Sequence, residues 1–496
     1  MELTENIWKS RMDTDNKIRK NYIYNVTYQI LNLIAPLLTT PYVARVLGVE
    51  QTGRYSYISS ITTYFITLAI LGSTPYAQRE IAYLKGDKAK YSQLFWEMVI
   101  FRGLAVLISC LLYGIIIISV PATERLLYIV QGINIIVVAV DITWFFQGLE
   151  NFKKVIIRNM IVRCVSIVMI FLLVTKESDL AIYMFILSGT PLVGQVLIWG
   201  YLKRYLVPIS IKEINIKQHF KGIIALFIPT IAVSIYRAVD KTMIGLFTDS
   251  SSENGYYEQA DRIVQMCITI PTALSTVMAP RIAAGMAKKN VDVVNAYMYK
   301  TYEALLLIAM PLGVGIFCVS DMIVPWFLGE QYNKVILLLR TFSFIVPIVA
   351  LSNATGAQYL IQAREEKVYT KSIFLGAAVN FCINLLLIPS MASVGAAIAT
   401  VIAEFSILFY QMLDICKKNK DLKLNLLFSN LWICIIGCMS MALVVMLIKP
   451  FFPPSFLGTI CVAAIGASIY GIMLLIFKEP MVCNVLDIIR GKLSRK

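Results

Sequence analysis

The sequence predicts an all-α integral membrane protein with about fourteen transmembrane helices, each of the length that a bilayer core demands. Two six-helix lobes in parallel pseudo-repeat are followed by two C-terminal helices. Three observations predict this: long apolar runs along the chain, basic residues confined to alternate loops, and landmarks that recur at a constant offset.

The apolar runs come first. Of 496 residues 58% are hydrophobic and 15% charged, with a mean hydropathy of +0.72. A soluble domain is usually about 25% charged. Lipid offers the backbone no hydrogen bonds, so such runs must be helices. They read as 21–47, 55–73, 95–120, 126–148, 155–174, 180–201, 221–247, 261–280, 297–319, 335–361, 369–388, 393–415, 426–448 and 455–477.

The second observation is charge. One set of loops holds Lys85, Lys88 and Lys90, then Lys153 and Lys154, Lys203 and Arg204, Lys288 and Lys289, Arg364 and Lys367, and Lys417 and Lys418. Both termini join this set, through Arg11, Lys17 and Arg19 and through Arg490, Lys492 and Arg495. The other set holds little beyond Arg54, Arg125, Lys176, Lys334 and Lys449. This is the positive-inside pattern of a multi-pass membrane protein and puts both termini in the cytoplasm. The net charge of +15 therefore belongs beside anionic headgroups and is not a nucleic-acid signal. The first 20 residues are polar and lack the apolar core of a signal peptide.

The third is the repeat. Gly53-Arg54-Tyr55 and Gly255-Tyr256-Tyr257 are 202 residues apart, as are Arg79 and Arg281. Both members of each pair follow corresponding spans, so the halves share one orientation, as in two-lobed transporters. The expected organisation is a cytoplasmic segment 1–20, an N-lobe 21–205, a linker 206–220, a C-lobe 221–416, two further spans within 426–477 and a cytoplasmic tail 478–496.

Enzyme chemistry has little to stand on. His219 is the one histidine and reads as a solvated loop residue. Ten scattered cysteines form no C-x-x-C, and no P-loop or H-E-x-x-H occurs. No catalytic residue, metal site or cofactor is expected.

Charges at membrane depth cost about 2.5–3.5 kcal/mol each and mark pathways. Arg237, Asp240 and Lys241 form the sharpest cluster, with Arg237 and Lys241 on one helix face. Their excess positive charge points to an anion. Thr39 and Thr40 occupy the corresponding part of the first span, between Pro36 and Pro41, where two prolines predict a bend. Arg45 reads as a cavity or interface residue. Arg262 and Arg340 can snorkel to headgroups. Asp141 and Arg163 read as a neutralising pair. Asp240, Asp141, Glu303 and Glu404 are candidates either for coupling to a sodium or proton gradient or for structural charge pairing.

Several segments resemble a known family. Arg45-Val46-Leu47-Gly48 through Gly53-Arg54-Tyr55-Ser56-Tyr57, Arg79-Glu80-Ile81-Ala82 and Asp240-Lys241-Thr242-Met243-Ile244-Gly245 are similar to segments of bacterial polysaccharide flippases. So is Asn380-Phe381-Cys382-Ile383-Asn384 through Ile388-Pro389, followed by Gly395-Ala396-Ala397-Ile398-Ala399-Thr400. This pattern resembles Wzx-type O-antigen, capsule and teichoic-acid flippases of the multidrug/oligosaccharidyl-lipid/polysaccharide exporter superfamily, over essentially the whole chain.

The resemblance implies a flippase that moves a polyprenyl-pyrophosphate-linked oligosaccharide from the inner to the outer leaflet by alternating access. It also implies a cationic cavity between lobes. Arg237 and Lys241 match by place on span 7, and Arg79 and Arg281 match at the cytoplasmic mouth. The related peptidoglycan-precursor flippase carries an Arg-Asp pair mid-way along its first helix. Thr39 and Thr40 stand there in this chain, which argues against that substrate. Expected partners are the lipid-linked oligosaccharide, membrane lipids and, as assembly proteins, a polysaccharide polymerase. The alternatives are a cation-coupled drug exporter of the same superfamily and a membrane polymerase or glycosyltransferase. The first span has no acidic residue of the kind such exporters carry, and the short loops offer little room for such an enzyme's catalytic groups.

Overall fold

The computed structural model describes the backbone of residues 2–493. Side chains are described from residue 31 onward, apart from 32, 33, 152, 211, 228–230, 232, 233, 235, 237, 275–277, 485 and 488–496. Among the described residues the regular structure is helical throughout. Eleven helical segments among the described residues are long and apolar enough to cross a membrane, or twelve if one bent pair counts as a span. Of the expected fourteen runs, all but 221–247 map onto these segments. One of them, 34–83, carries both the first and second runs, and the run 221–247 includes residues outside the described set.

The first helix, α1, runs Glu2–Ile70 and passes through Pro36 and Pro41. Its break is at Gly48, with φ 75° and ψ 176°. That backbone lies in the left-handed region open to glycine, and it falls where the first apolar run ends. Pro36 and Pro41 lie inside the helix, and the break in its backbone comes at a glycine about two turns beyond Pro41. Next come α2 (Ser73–Tyr83), α3 (Lys88–Ser119), α4 (Ala122–Val140), α5 (Thr143–Gly148), α6 (Phe152–Leu173) and α7 (Leu180–Trp199). Asp87 caps α3 by accepting from the Lys90 backbone N–H at 3.1 Å. That bond, with the Lys90 ammonium beside it, holds the Asp87 carboxyl below the usual carboxylate range.

The second half begins with α8 (Phe220–Phe247), α9 (Ser251–Ala287) and α10 (Val291–Phe327). The short helices α11 (Lys334–Phe342) and α12 (Ile345–Asn353) continue into a wide turn over Ala354–Leu360. They are followed by α13 (Glu366–Met391), α14 (Ser393–Lys418), α15 (Leu424–Leu427), α16 (Leu431–Ile448), α17 (Phe456–Ile476) and α18 (Pro480–Leu493).

The chain divides into two compact units, 1–51 with 55–238 and 52–54 with 239–496. The expected linker 206–220 therefore belongs with the first unit, and the boundary falls inside α8. His219 supplies the reason. It is buried, not solvated as its loop position implied. Its Nε2 lies 2.7 Å from a Glu97 carboxylate oxygen and its Nδ1 lies 2.8 Å from the Tyr76 hydroxyl. Glu97 also accepts from the Asn215 backbone N–H at 2.8 Å. A polar latch thus ties the segment before α8 to α2 and α3, and satisfies a carboxylate that is only 1% exposed.

Among the described residues the first unit holds two apolar clusters. One cluster gathers Leu47, Ile58, Tyr113 and Met184, and another gathers Phe95, Trp144, Phe145 and Phe146. Large apolar side chains such as Leu107, Ile118, Leu172 and Leu443 are exposed, as expected where lipid is the solvent.

Candidate functional site

In the second unit, α13 and α14 are the helices that carry Asn380-x-x-x-Asn384 and Gly395-Ala396-Ala397. Ala396, Ala397 and Ala399 are fully buried. A Cβ on Gly395 would stand 2.6 Å from the Leu387 carbonyl, so the absence of a side chain is what lets these backbones meet. Four-residue spacing puts both asparagine amides on one face of α13. The close approach then sets Thr400 of α14 beside them.

These groups converge on Asp240 of α8, which is 4% exposed. Asn380 Nδ2 and Asn384 Nδ2 donate to its Oδ1 at 2.9 and 2.6 Å. The Tyr257 hydroxyl of α9 and the Thr400 hydroxyl donate to its Oδ2 at 2.6 and 2.8 Å. Four neutral donors therefore take the place of water around one buried carboxylate. Asn384 Oδ1 is itself buried and has no hydrogen-bond partner. The result is a set of oxygen atoms carrying one negative charge, from one carboxylate, two hydroxyls and a free amide carbonyl. It matches one proton or one monovalent cation.

The next residue, Lys241, points elsewhere. Its Nζ lies 2.7 Å from the Glu258 carboxylate and 3.2 Å from that of Asp261. Arg262 completes the group, its Nε donating to Glu258 at 2.6 Å. Two cations thus meet two carboxylates. The surplus positive charge read from α8 alone is absent at Lys241, because α9 supplies the counter-charges. Arg262 does not snorkel. It is spent in this quartet, with Glu258 four residues before it on the same helix. The Arg237 side chain lies outside the described residues.

The other candidates are scattered. Thr39 Oγ1 donates to the Ala35 carbonyl at 3.0 Å within its own helix. Thr40 is 1% exposed, and its hydroxyl has no hydrogen-bond partner. Arg45 and Arg281 are exposed, and Arg79 is paired with Glu80 at 3.0 Å. Glu404 is half-buried on α14. Glu303 accepts from Asn430 Nδ2 at 2.8 Å, and the same amide reaches Glu479 at 2.8 Å. Arg340 forms an ion pair with Asp321 at 3.2 Å, so it too has a carboxylate in place of a headgroup.

The expected Asp141–Arg163 pair does not form. The Asp141 carboxylate turns back to the start of α5, accepting from Thr143 N and Oγ1 at 2.9 and 2.5 Å. Its carbonyl accepts from Arg102 Nη1 at 2.6 Å. Arg102 is 1% exposed and also donates to the Ser73 and Thr74 hydroxyls. It closes the α4–α5 break, where the backbone acceptors lack helical partners.

The sequence reading did not include Tyr257, Asn380, Asn384 or Thr400 among the site residues. Three of the four lie in the motifs that carried the family resemblance, so spacing within those motifs was the available signal.

Relatives agree with this architecture. A protein of Escherichia coli (strain K12) named as an O-antigen transporter is 24% identical over 407 residues, covering 81% of this chain and 97% of its own. A protein of Haloferax volcanii named as a low-salt glycan biosynthesis flippase, Agl15, is 25% identical over 363 residues, covering 71% of this chain and 66% of its own. Among solved structures, the lipid II flippase MurJ in an inward closed conformation superposes with a TM-score of 0.73 at 16% identity. That match covers 93% of this chain and 99% of that one, and it shows the fold. The description "Polysaccharide biosynthesis protein" matches residues 18–286, more than half of the 496. The chain is thus a multi-span helical membrane protein that belongs to the polysaccharide biosynthesis protein family.

Proposed function

We propose that this protein is a flippase for a polyprenyl-pyrophosphate-linked oligosaccharide, moving it from the inner to the outer leaflet of a bacterial cytoplasmic membrane for surface-polysaccharide assembly. The observation that carries the reading is the near full-length match to a protein named for O-antigen transport. The flippase name of a second relative supports it. The physical need agrees, since a pyrophosphate cannot cross hydrocarbon without protein groups to compensate its charge.

The Asp240 cage is the proposed coupling site. Its single negative charge, neutral oxygen partners and unfilled Asn384 Oδ1 suit one sodium ion or proton. The pyrophosphate contacts are assigned to Arg79, Arg281, Arg45 and Arg237, with Thr39 and Thr40 in the wall. Lys241 would join them only after release from Glu258. The two units then exchange access to either side while both termini remain cytoplasmic.

The test is depletion of the protein in its own cells. The lipid-linked repeat is expected to accumulate on the cytoplasmic face while surface polymer falls. Unchanged surface polymer after a clean deletion, in cells without a second flippase, would contradict the reading.

A further inference from the structure

The first unit holds a cavity of about 220 Å³ between α6 and α7, lined among others by Arg158, Asn159, Arg163, Ser166 and Gln195. It lies within a helix long and apolar enough to span the membrane, Lys153–Leu173, and Arg163 sits midway along it. The Asp141 partner expected for Arg163 is turned away, as described above. Among the described residues Arg163 forms no ion pair, and its Nε is buried without a hydrogen-bond partner. No acidic residue lines the cavity.

The polar groups there are mainly donors. Arg158 Nη1 donates to Gln195 Oε1 at 2.5 Å, which uses the glutamine acceptor and leaves its NH₂ to donate. The Ser166 hydroxyl lies 2.6 Å from Thr190 Oγ1 and donates to the Val162 carbonyl at 2.8 Å. Pro191 has no N–H, so the Leu187 carbonyl lacks its helical donor. That acceptor is neutral and does not balance a guanidinium. The packing preserves the space: a Cβ on Gly194 would stand 2.4 Å from Val162 Cγ2 and 3.4 Å from Arg158 Cδ. An arginine uncompensated at a span's centre is costly. An anion with several acceptor oxygens removes that cost, and guanidinium suits phosphate oxygens in particular.

We infer that this cavity binds the phosphate group of an anionic amphiphile, gripped by Arg158 and Arg163. Its volume is below the roughly 300–1,000 Å³ of pockets that enclose whole drug-sized ligands, so it takes the phosphate and not a sugar chain. Two sources share this chemistry, a membrane phospholipid headgroup and the phosphate of a lipid-linked cargo.

The test uses the full-length protein in phosphatidylcholine nanodiscs, with phosphatidylglycerol or inorganic pyrophosphate as probes. The readouts are the thermal midpoint and the number of phosphatidylglycerol molecules retained in native mass spectrometry. At least one probe should stabilise the wild type, and Arg163→Gln should weaken that probe's apparent affinity about tenfold. Arg163→Lys, which keeps the charge and guards against misfolding, should retain part of the effect. Stabilisation by phosphatidylglycerol alone assigns the site to membrane lipid, and stabilisation by pyrophosphate assigns it to cargo. Equal responses of Arg163→Gln and wild type to both probes, or no response of the wild type to either, would overturn the inference.

Discussion

Asn384 donates to the Asp240 carboxylate at 2.6 Å, joining positions 144 residues apart in the chain. The same asparagine leaves its own carbonyl oxygen buried without a partner. A carboxylate so enclosed is stable only while every donor around it stays in place. The pair therefore ties α8 to α13 and presents an acceptor that a cation or a proton-bearing group can use.

Asp240→Asn keeps the shape and removes the charge. If Asp240 carries the coupling ion, surface-polymer export should fall at least about tenfold while membrane insertion continues, since each tenfold corresponds to 1.4 kcal/mol. Export and membrane-fraction abundance, measured together, check this. Normal export by the variant would remove Asp240 from the coupling role.

Lys241 and Glu258 form a mostly buried pair, with side chains 19% and 9% exposed. Removing Lys241 leaves Glu258 with Arg262 alone and takes the ion-pair partner from Asp261, and breaking a buried pair costs up to about 3–5 kcal/mol. Lys241→Ala should thus lower the thermal midpoint of the purified protein. Lys241→Arg, which keeps the positive charge beside Glu258 and Asp261, should retain much of the stability. An alanine variant as stable as wild type would show that the pair contributes nothing to folding.

Gly395→Ala places a Cβ 2.6 Å from the Leu387 carbonyl. Backbone must then move apart, a kind of overpacking that costs about 1–3 kcal/mol. Because Thr400 rides on the same helix, export should drop together with stability. Thermal melting and export assays on the one variant check both parts.

Much of this fold was legible in the sequence, because apolar runs and basic loops are local properties. The Gly48 break fell at the end of the first run, and the N-x-x-x-N spacing placed two amides on one face. What failed was long-range pairing. Lys241 looked like surplus charge because its partners lie on the next helix. His219 looked solvated because Glu97, its partner, is 122 residues away. Asp141 seemed destined for Arg163, but the helix break after Val140 drew its carboxylate to Thr143 instead.

The His219 latch makes its own prediction. With His219→Ala the segment 206–219 loses the His219 bonds to Glu97 and Tyr76 and keeps only the weaker hold of Asn215 and Gln218 on Glu97. A tenfold rise in opening corresponds to about 1.4 kcal/mol, and local opening of this kind governs cleavage by proteases. Trypsin should then cut at Lys212 and Lys217 roughly that much faster than in wild type. Unchanged cleavage would mean that other contacts hold the linker.

The most direct measurement is reconstitution of the purified protein into proteoliposomes that carry the cell's own lipid-linked oligosaccharide in one leaflet. With an imposed sodium or proton gradient, the sugar should become accessible to a membrane-impermeant glycosidase on the opposite side. Asp240→Asn vesicles should show only the background rate. Equal rates in wild-type, Asp240→Asn and protein-free vesicles would contradict the account.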